Sequence, residues 1–412
     1  MPTPRPSSTP TPLPPTATPS ITPSPTVTLT PLPPATLQPT PASQLLTLDN
    51  ITQLEPLFQI VLSGGTLDPA HLAISDDGRW LAIGTAGPAP DGLVELWDLA
   101  TLQRVKELRG HSNWITALAF SWDGVYLASA SRDGSVRVWT AQNGEPVATL
   151  STSNDVVWDV AFSPDGAMLA SAASDGNIQL WNPITGKLLQ ILLGHVGPTR
   201  QIEFAPLNVV LPEGCTYLLL SGSEDKSGRI WCLPATPRPD SVEQIVLGGH
   251  SGAVTEVHFL PDGLHAITVS RDETLRIWEI SSGLQVAVLD TRNRQLAQAL
   301  IDPTGSWLYA IARDGEMTQW DSLAGRQLAS LYAANPEIWS ASLSPNGSLL
   351  VIGGNAGALQ FWDADRGLSL YTRYDAHSDG ISDIAFSADG RLLISASFDG
   401  TVRIWGVLLG EP

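Results

Sequence analysis

Tryptophan recurs through most of this chain in a single register. Trp97, Trp139, Trp181, Trp231, Trp278, Trp320, Trp362 and Trp405 stand 42, 42, 50, 47, 42, 42 and 43 residues apart, and they are eight of the 14 tryptophans. A fixed period of about 40 residues means that one supersecondary unit has been copied, and such a unit buries its apolar surface only against neighbouring copies. Each copy carries the same signals in the same order. An apolar run ends in a turn (Phe162-Ser163-Pro164-Asp165-Gly166; Leu343-Ser344-Pro345-Asn346-Gly347). A second short run follows, as at 126–131, and then a tight turn such as Arg132-Asp133-Gly134. A third, alternating run ends at the tryptophan, and glycine stands five residues later at Gly144, Gly186, Gly283, Gly325 and Gly367. Period-two alternation and glycine where turns need positive φ make each copy a four-stranded antiparallel meander.

Stacking meanders radially around an axis covers both faces of each and leaves only short edges. Eight tryptophans therefore predict an all-β fold, an eight-bladed β-propeller over residues 57–406. The last copy has only three strands before its tryptophan, and the apolar run at 57–62 precedes the first copy unpaired. That run is expected to be the outer strand of blade eight, clasping the ring shut. In residues 45–56, Asp49 or Asn50 can cap a helical turn and Pro56 can stop it, which predicts a short lead-in helix packed on the first blade. Residues 407–412 are left as a tail.

Residues 1–44 are different material. They hold 15 Pro, 11 Thr and 5 Ser, with Arg5 the one charged side chain and no aromatics. Such a segment cannot bury enough apolar surface to offset its ordering entropy, and it reads as a disordered, semi-stiff linker or stalk. Tracts of this composition favour an extracytoplasmic or cell-surface location. The N-terminus lacks the basic, apolar and small-residue succession of a secretory leader, which favours the cytoplasm unless the start codon is misassigned. No apolar run approaches the ~20 residues that span a bilayer. The formal net charge of −19, from 22 Lys and Arg against 41 Asp and Glu, opposes nucleic-acid binding. Of the two cysteines, the repeat register sets Cys232 opposite Leu218, with Cys215 three residues further along and roughly 10 Å away. A bridge is expected only if an irregular loop carries Cys215 back.

These residues resemble the WD-repeat family, and the resemblance covers the whole chain after the tail. The Trp-Asp pair is literal at Trp97-Asp98, Trp320-Asp321 and Trp362-Asp363. The family's Gly-His pair appears at Gly110-His111, Gly194-His195 and Gly249-His250, and as Ala376-His377. Its turn aspartate, six residues before the tryptophan, appears at Asp91, Asp133, Asp175, Asp225, Asp272, Asp314 and Asp399, with Ala356 in blade seven. The resemblance implies a buried hydrogen-bonded chain in four blades: His111, Asp133 and Trp139; His195, Asp225 and Trp231; His250, Asp272 and Trp278; His377, Asp399 and Trp405. The hydroxyl would come from Ser129 or Ser131, Ser221 or Ser223, Thr268 or Ser270, and Ser395 or Ser397. Gly65, Ser153, Arg292 and Ala334 stand in the histidine's place elsewhere, and those blades are expected to be looser.

Histidine beside aspartate also invites a metal or catalytic reading, but a catalytic site would occur once, whereas these pairs recur blade after blade. His71, His258 and His265 are scattered without ligand spacing, and no phosphate-binding loop or nucleophile elbow is present. The tryptophan register also resembles quinone-cofactor propeller dehydrogenases, yet neither their cofactor sandwich nor their calcium site is found. The sequence therefore names no catalytic, metal or cofactor-binding residue. It predicts a monomeric, non-catalytic docking platform for proteins or peptides, against the alternatives of an enzyme or a glycan reader at the channel mouth. In the family, docking uses the face built by the loops before the first strand and between the second and third. Here that face would present Trp114, Arg132, Arg271, Arg292, Arg294, Arg313 and Phe398, with the four arginines of blades five and six forming a basic spot. Blade four carries insertions on the opposite face, and blade one an extension at Pro88-Ala89-Pro90.

Overall fold

The computed structural model describes residues 43–62, 68–86, 92–152, 155–235, 242–291, 294–334 and 337–408. They form eight antiparallel sheets, seven of them meanders of four consecutive strands. Blade two is typical: Ile115–Phe120 innermost, then Tyr126–Ser131, Ser135–Thr140 and Pro146–Ser151. The second strand of a blade is covered on both sides, so it reads as a continuous small or apolar run. Leu169–Ala173 of blade three is buried at all five positions.

Each seam between successive blades is filled by its own apolar cluster, and each register tryptophan enters the seam toward the preceding blade. Trp139 packs with Val94, Leu96 and Leu108 of blade one. Trp405 packs with Leu349, Val351 and Phe361 of blade seven. The largest side chain of the repeat thus recurs because each seam needs one flat filler. Blade eight combines Ile381–Phe386, Leu393–Ser397 and Thr401–Leu408 with Glu55–Val61 from the other end of the chain. The closing register runs from Glu55 opposite Gly406 to Val61 opposite Thr401. Ile60 and Leu62 then join Leu81 and Ile83 of blade one in the last seam.

Several expectations at the chain's edges are corrected. The closing strand starts at Glu55, and Pro56 lies within it instead of stopping a helix. The lead-in is one 3₁₀ turn, Ile51–Gln53, with no side-chain cap. Asn50 instead accepts from Thr47 N–H at 2.9 Å and donates to Leu45 O at 2.9 Å, so its side chain folds the segment before the turn. Leu46, Ile51 and Leu54 are buried between blades seven and eight, not on blade one. Val407 and Leu408 continue the third strand of blade eight and pair with Gln44 and Ser43, so neither is tail. The linker expected over 1–44 otherwise lies outside the described residues, as do Gly65, Asp91, Ser153, Arg292, the 88–90 extension and residues 409–412.

The condition set for the cysteines is met: Cys215 and Cys232 form a disulfide with Cα atoms 5.1 Å apart. Leu218 does face Cys232, but the strand stops at Tyr217. The inserted loop then turns, with Cys215 N–H donating to Pro212 O and Thr216 N–H to Leu233 O, and returns Cys215 to its partner.

Candidate functional site

Four blades carry a hydrogen-bonded chain that ties their loops together. In blade two the Trp139 indole N–H donates to Ser129 Oγ at 3.0 Å, that hydroxyl meets His111 Nε2 at 2.8 Å, and His111 Nδ1 meets Asp133 at 3.0 Å. The same sequence of contacts runs through Trp231, Ser221, His195 and Asp225 at 2.9, 2.8 and 2.9 Å. It runs through Trp278, Thr268, His250 and Asp272 at 2.8, 2.8 and 2.9 Å, and through Trp405, Ser395, His377 and Asp399 at 2.8, 2.7 and 3.1 Å. The hydroxyl is the earlier of each sequence pair; Ser131, Ser223 and Ser397 instead bind a loop carbonyl. One proton placement gives every donor an acceptor: indole to hydroxyl, hydroxyl to Nε2, Nδ1–H to carboxylate.

The electrostatics agree with a neutral imidazole against an ionised acid. Burial lowers His195 and His250 and pulls His377 down to about 4, with the aspartate only partly opposing it. Burial alone would raise the aspartates, but hydrogen bonds from hydroxyl, imidazole and backbone outweigh it. Asp225 and Asp272 end at about 2, and Asp133 and Asp399 also lie below the usual range. Gly110, before His111, sits at φ 141°, a backbone conformation that favours glycine, and a Cβ there would press only on the flexible end of Arg137, 2.6 Å from its Nη1.

These chains brace the face where docking residues were sought. Every inner strand has a β-bulge near its start, which turns one residue onto the channel rim. In most blades that residue is small, but blades three, four and seven place Trp158, Arg200 and Trp339 there. A stack results. Arg132 lies 4.3 Å over Trp114 and 5.7 Å from Trp158, and Arg200 lies 3.8 Å over Trp158. Trp158 donates to Ser174 Oγ at 2.7 Å, and Arg200 pairs with Glu224. On the far side of the channel Arg313 stands 5.5 Å from Trp339, which meets Phe398 edge-on at 5.6 Å.

The basic spot expected over blades five and six is not a free one. Arg294 is paired with both Asp314 and Glu316. Arg271 and Arg313 line a cavity of about 210 Å³ together with Glu256 and Glu273, so acids are interleaved with them. The stronger concentration of arginine and aromatic side chains lies on blades two to four. The bulge residues Trp158, Arg200 and Trp339 escaped the sequence reading; their signal was a large side chain where other copies have Ala, Thr or Ser.

A second set of residues also went unread. In blades three to eight the residue after the bulge reaches across the seam and accepts a backbone N–H from the next blade. Asp159 binds Ile202 at 2.9 Å, Gln201 binds Val257 at 2.8 Å and Glu256 binds Ala299 at 3.0 Å. Gln298 binds Ala341 at 3.0 Å, Ser340 binds Ile384 at 3.1 Å, and Asp383 closes onto Leu72 of blade one at 2.9 Å. Several of these side chains line the central channel, a cavity of about 380 Å³ that also holds His71 and His258. Burial pushes Asp383 in its wall up to about 6 and lowers His71 to about 4, and burial of Asp159 at the seam between blades three and four pushes that carboxyl up to about 7. Burial would also lower His258, but Glu203, 3.0 Å from its Nδ1, and Glu256 hold it at about 10. The sequence signal is a polar residue three positions before the aromatic that ends an inner strand, as in Asp159 and Phe162 or Glu256 and Phe259.

Among the described residues no helix is long and apolar enough to cross a membrane. Five stretches of the chain, 102–140, 144–182, 241–279, 325–363 and 368–406, match the family described as WD domain, G-beta repeat. Nuclear distribution protein nudF of Aspergillus niger is 32% identical over 125 residues, 30% of this chain and 26% of that protein. The small ribosomal subunit protein RACK1 of Neurospora crassa is 42% identical over 66 residues, 16% of this chain and 21% of that protein. The periodic tryptophan protein 2 homolog of Neurospora crassa is 35% identical over 108 residues, 26% of this chain and 11% of that protein. The chain thus spans about a quarter or less of the length of these relatives. Among solved structures, the computationally designed Ika8 protein covers 84% of this chain, with 98% of its own length aligned, at a TM-score of 0.69 and 24% identity, a likeness of fold. With its repeated Trp, Gly-His and turn Asp on eight sheets and these matches along its length, the chain belongs to the WD-repeat family of β-propellers.

Proposed function

We propose that this propeller is a non-catalytic docking platform for another protein, and that the contact is made on the face of blades two to four. The observation that carries the reading is the Trp114, Arg132, Trp158 and Arg200 stack, which spans three blades beside the channel mouth. Trp and Arg are the side chains that most often anchor interfaces. Each guanidinium here is held against an indole, so less rotamer freedom is lost on binding. The braced His-Asp chains of blades two and four hold the loops on either side of the stack. Arg271, Arg313 and Phe398 form the outer margin of the same face, and nucleic acid is disfavoured by the net charge of −19.

The test is quantitative capture from the native organism with Arg132→Glu compared with Arg271→Glu. The reading expects Arg132→Glu to lose the captured protein by at least about tenfold, the scale of one lost anchor of about 1.4 kcal/mol, and Arg271→Glu to lose less. Equal capture by wild type and Arg132→Glu would reject the site.

A further inference from the structure

We propose that the cavity between blades six and seven binds a neutral saccharide, with Trp339 as the platform for the sugar ring. This site is separate from the protein-docking stack on blades two to four, and it goes beyond that reading.

The cavity measures about 370 Å³ and is lined by Gln295, Arg313, Asp314, Glu337, Ile338 and Trp339. That is the lower end of the roughly 300–1,000 Å³ typical of small-molecule sites, room for one or two sugar rings. Its chemistry narrows the ligand. Four of its six lining residues carry charged or amide groups, while apolar atoms supply the larger share of its exposed surface, so a guest needs both polar groups and an apolar face. Two carboxylates against one guanidinium disfavour an anion, and the guanidinium opposes a cation. A neutral ligand with many hydroxyls suits the mixture, since carboxylates accept from hydroxyls while guanidinium and amide donate to them. The planar forks of Asp, Glu, Arg and Gln match the spacing of adjacent ring hydroxyls. An aromatic face beside them offers the apolar patch that the C–H face of a pyranose needs.

Trp339 suits this role better than Trp114, the other exposed tryptophan of the face. Trp114 is covered closely by Arg132 at 4.3 Å, whereas Arg313 lies over Trp339 at the longer distance of 5.5 Å. Trp339 is 43% exposed and lines both this cavity and the channel. The bulge at the start of Ile338–Leu343 aims it there, and Phe398 buttresses it edge-on. Beside it Glu337 sits at φ 67°, a left-handed conformation that costs a non-glycine residue energy and is retained most often at binding sites. Asp314 and Glu337 are held in place by Arg294 and by the Asn355 amide, so the acceptors are pre-positioned.

The test is a titration of the full chain with glucose, galactose, mannose, N-acetylglucosamine and their β-1,4-linked dimers. Tryptophan fluorescence and saturation-transfer NMR are the readouts. The proposal expects saturable binding of at least one sugar in the millimolar range. It expects at least a tenfold loss in Trp339→Ala and in Gln295→Ala, partial retention in Trp339→Phe, and no change in Trp114→Ala. Gln295→Ala keeps the test valid if Trp339→Ala is destabilised. No saturable response to any of these sugars, or equal binding by Trp339→Ala, would overturn it. Because no protein partner enters the assay, failure here leaves the docking reading standing, and loss of capture by Arg132→Glu leaves this one standing.

Discussion

Blades two, four, five and eight hold their seam tryptophan differently from blades one, three, six and seven. In the first group the indole N–H opens a relay through hydroxyl and imidazole to an aspartate on the turn between the second and third strands. In the second group the relay is cut short. Trp97 donates to the fully buried Glu95 at 3.0 Å, Trp181 to Ser171 at 3.0 Å, and Trp320 to Thr318 at 2.9 Å. Trp362 Nε1 is buried without a partner among the described residues. All eight tryptophans still lie in their seams. Filling a seam therefore needs only the indole, whereas the His-Asp relay adds a brace between that seam and the loops before the first strand and between the second and third. The cavity of about 370 Å³ opens between blades six and seven, the two consecutive blades without the relay.

This comparison predicts unequal responses to matched substitutions. The largest is His250→Ala, which strands Asp272 and Thr268 in a buried network and should cost about 3–4 kcal/mol in chemical denaturation. A loss below about 1 kcal/mol would mean that the relay contributes little beyond the indole itself.

Acid should expose the same difference. His377 is held at about 4 in the fold, below its usual value, so the unfolded chain binds more protons between pH 6.5 and 4. Its contribution is therefore lost as pH falls through that window, by up to roughly 3 kcal/mol. Asp159 and Asp383 are raised and act in the opposite sense, losing stability as pH rises from 3.8 toward about 7 and about 6. Replacing the histidine in His377→Gln should flatten or reverse the acid slope, as followed by urea midpoints. An unchanged slope would remove His377 from the account.

Ser395→Ala should cost about 2 kcal/mol, because it leaves both the Trp405 indole and His377 Nε2 unsatisfied, while Thr318→Ala, with one indole to lose, should cost about 1. The smallest contrast is between tryptophans. Trp405→Phe breaks a made hydrogen bond and should cost about 1.5 kcal/mol more than Trp362→Phe, whose indole N–H is unpaired. Equal costs for the two would show that the bond to Ser395 carries no net stability.

Much of this was readable from the sequence because it is repeated. One tryptophan per copy gave the blade count, and the missing outer strand of the last copy pointed to the run before the first. What escaped was local or unrepeated. The bulge that exposes Trp158, Arg200 and Trp339 is a feature of backbone register, visible only once the first and second strands are paired. The cross-seam acceptors vary among Asp, Gln, Glu and Ser, so their identity hides a shared role that position alone reveals. The Cys215–Cys232 bridge depends on the path of an irregular insertion, which no strand periodicity encodes. The face proposed for docking was chosen by resemblance, and its arginines in blades five and six were counted without the acids that fold against them.

The ring is closed by a strand from the opposite end of the chain, and hydrogen exchange read by mass spectrometry tests that claim most directly. Peptides covering Glu55–Val61 should be as protected as those covering Thr401–Leu408, to which they are paired, and both should lose protection together. Exchange of Glu55–Val61 at the rate of an exposed loop, with Thr401–Leu408 still protected, would contradict an eight-bladed ring shut in this way.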